Sequence, residues 1–238
     1  VKKQSRKDFA YMNVKDKYLK RKIKNSKVLS KIINVNLKAI NNFKKKITNP
    51  YFSTQGYQEN LSFIFSISQK LNLQNKKIIQ TINKFEGLKY RQEIIYKSNK
   101  IKFINDSKAT SFASSENILK SLQKVFWLVG GITKLGDKFV LKKNECKNIN
   151  AYVFGRNKSF FVKQFRNKLS YYCFKDLKSA VKQVLIDVNN DSNNLHKTVL
   201  FSPSAASFDS FKNFEERGDY FNFLLKKYKV KKIINVLK

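Results

Sequence analysis

A chain of 238 residues, 42% of them hydrophobic, carries enough apolar side chain for one large core or two modest ones, so a folded globular protein is expected and a disordered or fibrous chain is excluded. The formal charge of +34 points toward polyanions, yet only six of the 50 basic residues are Arg (positions 6, 21, 91, 156, 166 and 217), and the other 44 are Lys spread along the whole length. That dispersion argues against a dedicated nucleic-acid surface, which gathers Arg and Lys on one element among exposed aromatics, and it fits charge carried on solvated faces.

No run of about 18 uncharged apolar residues occurs, and the start Val1-Lys2-Lys3-Gln4 leads into more charge, so neither a signal peptide nor a membrane span is expected and the chain reads as cytoplasmic. A first residue of Val points to a natural start further upstream. Cys146 and Cys173 are isolated thiols without metal-ligand spacing and read as unpaired structural cysteines. The one histidine, His196, stands in an Asn-rich stretch and reads as a loop residue.

Residues 1 to 50 are rich in Lys and Asn, hold one apolar run from Val28 to Val35, and end on the turn signal Asn49-Pro50. Leu61, Ile64, Phe65, Ile67, Ser68 and Leu71 have helical spacing, and Lys76 to Phe85 repeats it, with Gly87 where a C-terminal glycine cap would sit. Beyond Gly87 the pattern changes. Strands are expected at Gln92–Tyr96, Lys100–Ile104, Val125–Val129, Ala151–Phe154, Tyr171–Phe174 and Thr198–Phe201, with helices around Glu116–Leu122, Phe160–Leu169, Leu177–Val188 and Asp209–Tyr228. Such alternation predicts an α/β domain with a mostly parallel sheet, in which ligands gather at the carboxyl ends of the strands.

Three strand ends carry the informative residues. After 100–104 comes Asn105-Asp106-Ser107-Lys108-Ala109-Thr110, with Ser111 and Ser114-Ser115-Glu116 ahead of a helix; small hydroxyl groups, a helix start and one Lys suit an anion, and equally suit a plain capped turn. After 125–129 comes Gly130-Gly131-Ile132-Thr133-Lys134, in a chain with only seven glycines, so the pair answers a backbone demand for positive φ or close approach. After 198–201 comes Ser202-Pro203-Ser204-Ala205-Ala206-Ser207-Phe208-Asp209, whose small residues admit a closely approaching ligand, with Asp209 read as the first turn of a helix. Phe208, Phe211 and Phe214, three apart, read as core, and Glu216 with Arg217 as a solvated end.

These three segments, in this order and spacing, resemble the carboxy-terminal half of the D-glutamate-adding branch of the Mur ligase family. The matching strings are Asn-Asp-Ser-Lys-Ala-Thr at 105–110, Gly-Gly-x-x-Lys at 130–134 and Ser-Pro-x-x-Ala-Ser-x-Asp-x-Phe-x-Asn-Phe-Glu-x-Arg-Gly at 202–218. The stretch Phe85-Glu86-Gly87-Leu88-Lys89-Tyr90-Arg91 looks like the family's link between domains. The resemblance implies part of an α/β ATP-binding central domain over 1–87, followed by a Rossmann-like amino-acid-binding domain over 88–238.

By that resemblance the enzyme is a cell-wall precursor ligase that uses ATP and magnesium to activate the carboxylate of UDP-N-acetylmuramoyl-L-alanine as an acyl phosphate, which the amine of D-glutamate attacks. Lys134 and Thr110 are implied to bind one D-glutamate carboxylate, and Ser207, with Phe208 and Phe214 beside it, the other. Arg91 and Asp106 are implied to face ATP, Asn60 to be what remains of its adenine contacts, and Lys108 to stand at the reacting groups as the catalytic residue. No metal ligand is expected within the chain: the phosphate loop Gly-x-x-x-x-Gly-Lys-Ser/Thr does not occur, and the magnesium ligands of the pattern belong upstream. The central-domain string before Asn60 departs from the pattern over 54–59, and Tyr90 stands where the family often has His. A monomer is expected, binding neither nucleic acid nor membrane. A sibling ligase adding another amino acid and a basic nucleic-acid-binding module are the alternatives.

Overall fold

The computed structural model describes residues 3–13, 16–36, 38–53 and 55–230. Val1, Lys2 and Thr54, which entered the sequence reading, lie outside the described residues. The chain divides into two compact units, Val1–Glu86 and Gly87–Lys238.

In the first unit, β1 (Phe9–Asn13) and β2 (Lys31–Val35) pair in parallel, Phe9 opposite Lys31 and Asn13 opposite Val35, with α1 (Lys17–Lys24) as the crossover between them. Asp16 caps α1 by accepting the Leu19 amide at 2.8 Å. Short 3-10 turns lead to α2 (Gln55–Lys70) and α3 (Asn75–Lys84). Both helices match their expected spacing, but the stripe on α2 is narrower than the six residues predicted. Leu61, Phe65 and Ser68 are buried, whereas Ile64, Ile67 and Leu71 are exposed. Phe65 stacks on Phe43 at 4.6 Å, in a core with Ile40, Phe52, Ile78 and Ile82. α3 does not end on a glycine cap: Phe85, in extended conformation, returns its amide to the Ile82 carbonyl, and Gly87 lies beyond with φ +91°.

The second unit is built on one six-stranded sheet: β3 (Glu93–Lys97), β4 (Ile101–Asn105), β5 (Lys124–Gly130), β6 (Ile149–Phe154), β7 (Ser170–Cys173) and β8 (Lys197–Phe201), in the order β3-β4-β8-β5-β6-β7. Only β3 runs antiparallel, so the mostly parallel α/β class expected from the alternation is the class observed. Successive residues of β5 serve opposite faces, as a pleat requires. Phe126 and Leu128 pack under α6 (Leu177–Asn190) and α7 (Phe214–Lys227); Val125, Trp127 and Val129 pack under α4 (Phe112–Lys120) and α5 (Lys158–Phe165).

The order positions the site. From β4 the chain crosses by α4 to β5, steps outward through β6 and β7, and returns by α6 to lay β8 in the gap between β4 and β5. Strand order thus reverses about β8, and the carboxyl ends of β4, β8 and β5 lie at the kind of reversal point where such sheets bind ligands. Those are the three strand ends singled out by sequence.

Helix boundaries depart from expectation at two of them. α4 begins at Phe112, so Ser114, Ser115 and Glu116 lie inside it. α7 begins only at Phe214: the Ser210 and Phe211 amides turn back onto the Ser207 carbonyl, and Asn213, fully extended, caps the helix by accepting the Glu216 amide at 2.8 Å. Asp209 is therefore a loop residue. Both cysteines are free: Cys146 is buried, and burial pushes its thiol up to about 11, whereas Cys173 is exposed. The backbone amide of His196 donates to Gln123 just before β8.

Candidate functional site

The three loops at the carboxyl edge are joined by backbone. Beyond β5, the Ile132 amide donates to the Ala206 carbonyl at 2.9 Å and the Ala206 amide to the Ile132 carbonyl at 2.8 Å, while the Gly130 amide reaches the Pro203 carbonyl at 3.0 Å. This close approach explains the glycine pair. A Cβ on Gly130 would collide with the Phe154 carbonyl oxygen and one on Gly131 with the Ala206 carbonyl oxygen, and both residues have positive φ, +153° and +130°. Beyond β4, the Asp106 amide extends the ladder onto the Phe201 carbonyl at 2.7 Å, and Asn105, fully buried, donates to the Gly218 carbonyl and to Asn222 of α7.

Asp106 is turned inward. Its carboxylate accepts the Gln92 amide at 3.2 Å and the Ser202 hydroxyl at 2.7 Å. Ser202 meets the Ser115 hydroxyl at 2.6 Å, which meets that of Ser204 at 2.6 Å, and Trp127 Nε1 donates to the Ser202 carbonyl at 2.7 Å. Burial pushes the Asp106 carboxyl up to about 7, against the pull of Ser202, the Gln92 amide and Arg91. Because the folded-state value lies above the unfolded one, the native state holds the extra proton between pH 4 and 7, so stability falls as pH rises through that window and stays lower above it. Asp106→Asn, which keeps an acceptor for Gln92, is expected to flatten this dependence and to stabilise the chain above pH 7 by on the order of 2 kcal/mol. Urea unfolding of both proteins at pH 5 and pH 8 checks it; parallel pH profiles would count against the buried carboxyl as the cause.

Arg217, read from sequence as solvated, is 1% exposed. Its Nη1 donates to the Ala205 carbonyl at 3.0 Å, its Nη2 to the Ser107 carbonyl at 2.7 Å and its Nε to the Ser107 hydroxyl at 3.1 Å. The Ser107 hydroxyl in turn donates to the Phe214 carbonyl at 2.8 Å. One guanidinium thus ties the β4 exit, the β8 exit and the start of α7. Burial lowers its pKa to about 10, countered by the Asp209 carboxylate, so it stays charged at neutral pH.

Around this frame stand the residues expected to bind ligands. Lys108 is half-buried, its amide on the Tyr90 carbonyl at 3.0 Å and its ammonium 3.7 Å from the centre of the Phe214 ring. Thr110 is half-buried on the approach to α4, whose first amide, Phe112, is accepted by Asp137 at 2.9 Å. The amide of Asp137 returns to the Lys134 carbonyl at 3.2 Å, so the Thr110 and Lys134 segments are tied to each other. Lys134 is exposed, and neither it nor the Thr110 or Ser207 hydroxyl has a side-chain partner among the described residues. Ser207 is buried beside the Ile132–Ala206 pair. At the start of α7 the amides of Phe214 and Glu215 are unpartnered among the described residues, Asn213 having taken that of Glu216. Phe208, read by spacing as core, is 71% exposed, and Phe211 and Phe214 are half-buried. Arg91 is exposed, next to the buried Tyr90, while Asn60 stands exposed on α2 in the first unit. No group of three His, Cys, Asp or Glu able to hold a metal ion occurs among the described residues. None of their helices is long and apolar enough to cross a membrane.

Strand ends at the reversal point of a parallel sheet that carry an ammonium, hydroxyls and helix-start amides suit a small molecule with two anionic ends. Solved Mur ligases share the fold. The MurF ligase from Thermotoga maritima, solved in complex with ADP, aligns with a TM-score of 0.51 at 16% identity, over 74% of this chain and 40% of that one. A MurF from Acinetobacter baumannii aligns with a TM-score of 0.50 at 17% identity, over 68% of this chain and 37% of that one. No protein-family model matches the chain. Curated relatives are more specific: the UDP-N-acetylmuramoylalanine–D-glutamate ligase of Rickettsia felis is 35% identical over 170 residues, 71% of this chain and 38% of that protein, and that of Rickettsia bellii is 33% identical over 202 residues, 82% of this chain and 45% of that protein. The chain belongs to the UDP-N-acetylmuramoylalanine–D-glutamate ligase family. It spans about two-fifths of the length of these relatives.

Proposed function

We propose that the chain supplies the D-glutamate-binding part of an ATP-dependent ligase that joins D-glutamate to UDP-N-acetylmuramoyl-L-alanine, with 88–238 as its amino-acid-binding domain and 1–87 as part of its ATP-binding domain. The observation that carries this reading is the gathering of Thr110, Lys134, Ser207 and the α7 start on neighbouring strand ends, each with donors that no described residue takes up. One carboxylate of D-glutamate is held by the Lys134 ammonium and the Thr110 hydroxyl. The other is held by the Ser207 hydroxyl and the amides of Phe214 and Glu215, with Phe208 covering the ligand. Glu215 and Glu216 in the first turn of α7 oppose an anion there, and Lys108, Lys212 and Arg217 offset them.

ATP, when bound, supplies the phosphoryl group that activates the acceptor carboxylate. Arg91, exposed in the second unit, suits its phosphates. The Asp106 carboxylate, engaged by Gln92 and Ser202, serves the frame of the site instead of the ribose. No step is assigned to magnesium, since no group of three His, Cys, Asp or Glu able to hold a metal ion occurs among the described residues. Lys108 adds positive charge where the amine attacks, and the chain contributes by positioning and charge stabilisation. Both the precursor and ATP are cytoplasmic reagents, and since the D-glutamate contacts lie in one unit, a monomer suffices.

Titrating the isotope-labelled chain with D-glutamate and following amide resonances tests the reading: shifts centred on Thr110, Lys134, Ser207 and Phe214 are expected, and their absence at every attainable concentration would overturn it. Lys134→Ala should weaken binding about 10- to 150-fold through loss of one charge-assisted hydrogen bond, worth about 1.5–3 kcal/mol. Two serines provide a contrast. Ser207→Ala should weaken binding by about 5- to 30-fold at unchanged stability. Ser204→Ala should leave affinity nearly intact and lower stability by about 1–2 kcal/mol, because Ser204 is buried and bonded to Ser115. The reverse ordering would mean that the wrong serine has been placed at the ligand.

A further inference from the structure

Tyr90 is held more firmly than a connecting residue needs to be. It lies in the left-handed region, φ +60°, where a bulky side chain is rarely found, and it is 9% exposed. Its amide donates to Glu93 at 2.9 Å, its hydroxyl donates to Asp219 of α7 at 2.7 Å, and its ring lies against Gly218, where a Cβ would strike the ring carbons. A local turn joins the Arg91 amide to the Leu88 carbonyl. These anchors hold the Tyr90 carbonyl, which accepts the Lys108 amide at 3.0 Å. The same ring sits edge-on to Phe214 at 6.2 Å, and Phe214 is the ring that carries the Lys108 ammonium. Tyr90 therefore meets Lys108 through its carbonyl and Phe214 through its ring, and it directly precedes Arg91 in the chain.

From this we infer that Tyr90 is a positioning residue of the ligase site, its hydroxyl bond to Asp219 setting where Lys108 and Phe214 stand; the inference rests on the reading that D-glutamate binds beside them. The bond needs an acceptor at position 219 and no charge. Asp219→Asn, which keeps the carbonyl oxygen, should therefore preserve the site, whereas Asp219→Ala and Tyr90→Phe should both disturb it in the same way.

The test uses the labelled full chain and three single variants, Tyr90→Phe, Asp219→Ala and Asp219→Asn, with the double variant Tyr90→Phe/Asp219→Ala. In D-glutamate titrations, Tyr90→Phe and Asp219→Ala are each expected to raise the Kd about fivefold, the double variant no more than either alone, and Asp219→Asn to match the wild type. A general loss of structure would add the two effects and would not be relieved by Asn. An unchanged Kd in Tyr90→Phe overturns the inference. Should the wild-type chain show no response to D-glutamate, the ligand assignment fails, and amide hydrogen exchange decides the positioning role by itself. Exchange at Lys108 about fivefold faster in Tyr90→Phe and Asp219→Ala, with β5 and β8 amides unaffected, supports it; identical exchange at Lys108 overturns it. If Tyr90→Phe does not fold, the Ala and Asn variants at 219 give the same comparison.

Discussion

Arg217→Ala is expected to destabilise the second unit by about 3–5 kcal/mol, the largest loss for any single side chain in the site. The substitution removes three donors at once, from the Ala205 carbonyl, the Ser107 carbonyl and the Ser107 hydroxyl, at a buried position. It also leaves a void the size of a guanidinium between three loops. Arg217→Lys should recover only part of the loss, since one ammonium cannot span acceptors on both loops in the planar fork that Arg offers. For a unit of this size the alanine variant should melt roughly 10 °C lower by calorimetry. A melting temperature within a degree or two of wild type would show that Ser107 and Ala205 are held by something else.

Gly131→Ala should act on stability and on ligand together. With φ +130° and the Ala206 carbonyl oxygen in the space of the new methyl, the backbone must move, and Ala205 Cβ and Arg217 Nη1, each 3.2 Å from that position, leave it no easy direction. The expected loss is about 2–4 kcal/mol. The pair Ile132–Ala206 lies next to the collision, so Lys134 and Ser207, on either side of it, lose their common register. D-glutamate-dependent shifts at both residues should vanish with the substitution. Gly136→Ala is the matched control: its φ is +77° but nothing lies within 4 Å, so only the backbone preference, about 1 kcal/mol, is at stake. Equal effects at the two glycines would show that conformational preference, not the close approach of the loops, governs Gly131.

The strands and helices of the second unit were legible because each is an apolar run of the right period bounded by turn residues, and all six expected strands form within a residue or two of their predicted ends. What periodicity does not carry is neighbourhood. Nothing local in 197–201 announces that β8 slides between β4 and β5, both far earlier in the chain, although the small residues after it and the rare glycine pair after β5 are marks of that contact. Arg217 was misread for its charge, yet the helix period held the clue: 217, 221, 224 and 225 form one stripe, and Phe221, Leu224 and Leu225 on it are all buried. For Asp106, sequence shows a carboxylate at a strand end, read as facing the nucleotide, without showing the Ser202 hydroxyl and the Gln92 amide that arrive from elsewhere to bond it. The first unit gave up least. β1 is five residues of mixed character, and its pairing to β2 depends on a crossover helix that has no buried residue of its own.

Trp127 is the chain's single tryptophan, and it is fully buried with Phe139 and Phe165 within 6 Å and its indole N–H on the Ser202 carbonyl. The molecule therefore contains an optical reporter wired to the carboxyl edge of the sheet. Indole emission follows the second unit alone, since the first is silent in that channel, whereas far-ultraviolet circular dichroism follows both. Recorded side by side, the two signals separate the unfolding of one unit from the other without any label. The shared Ser202 also lets a change in the Asp106 hydroxyl chain reach the emission colour while the fold around it stays intact.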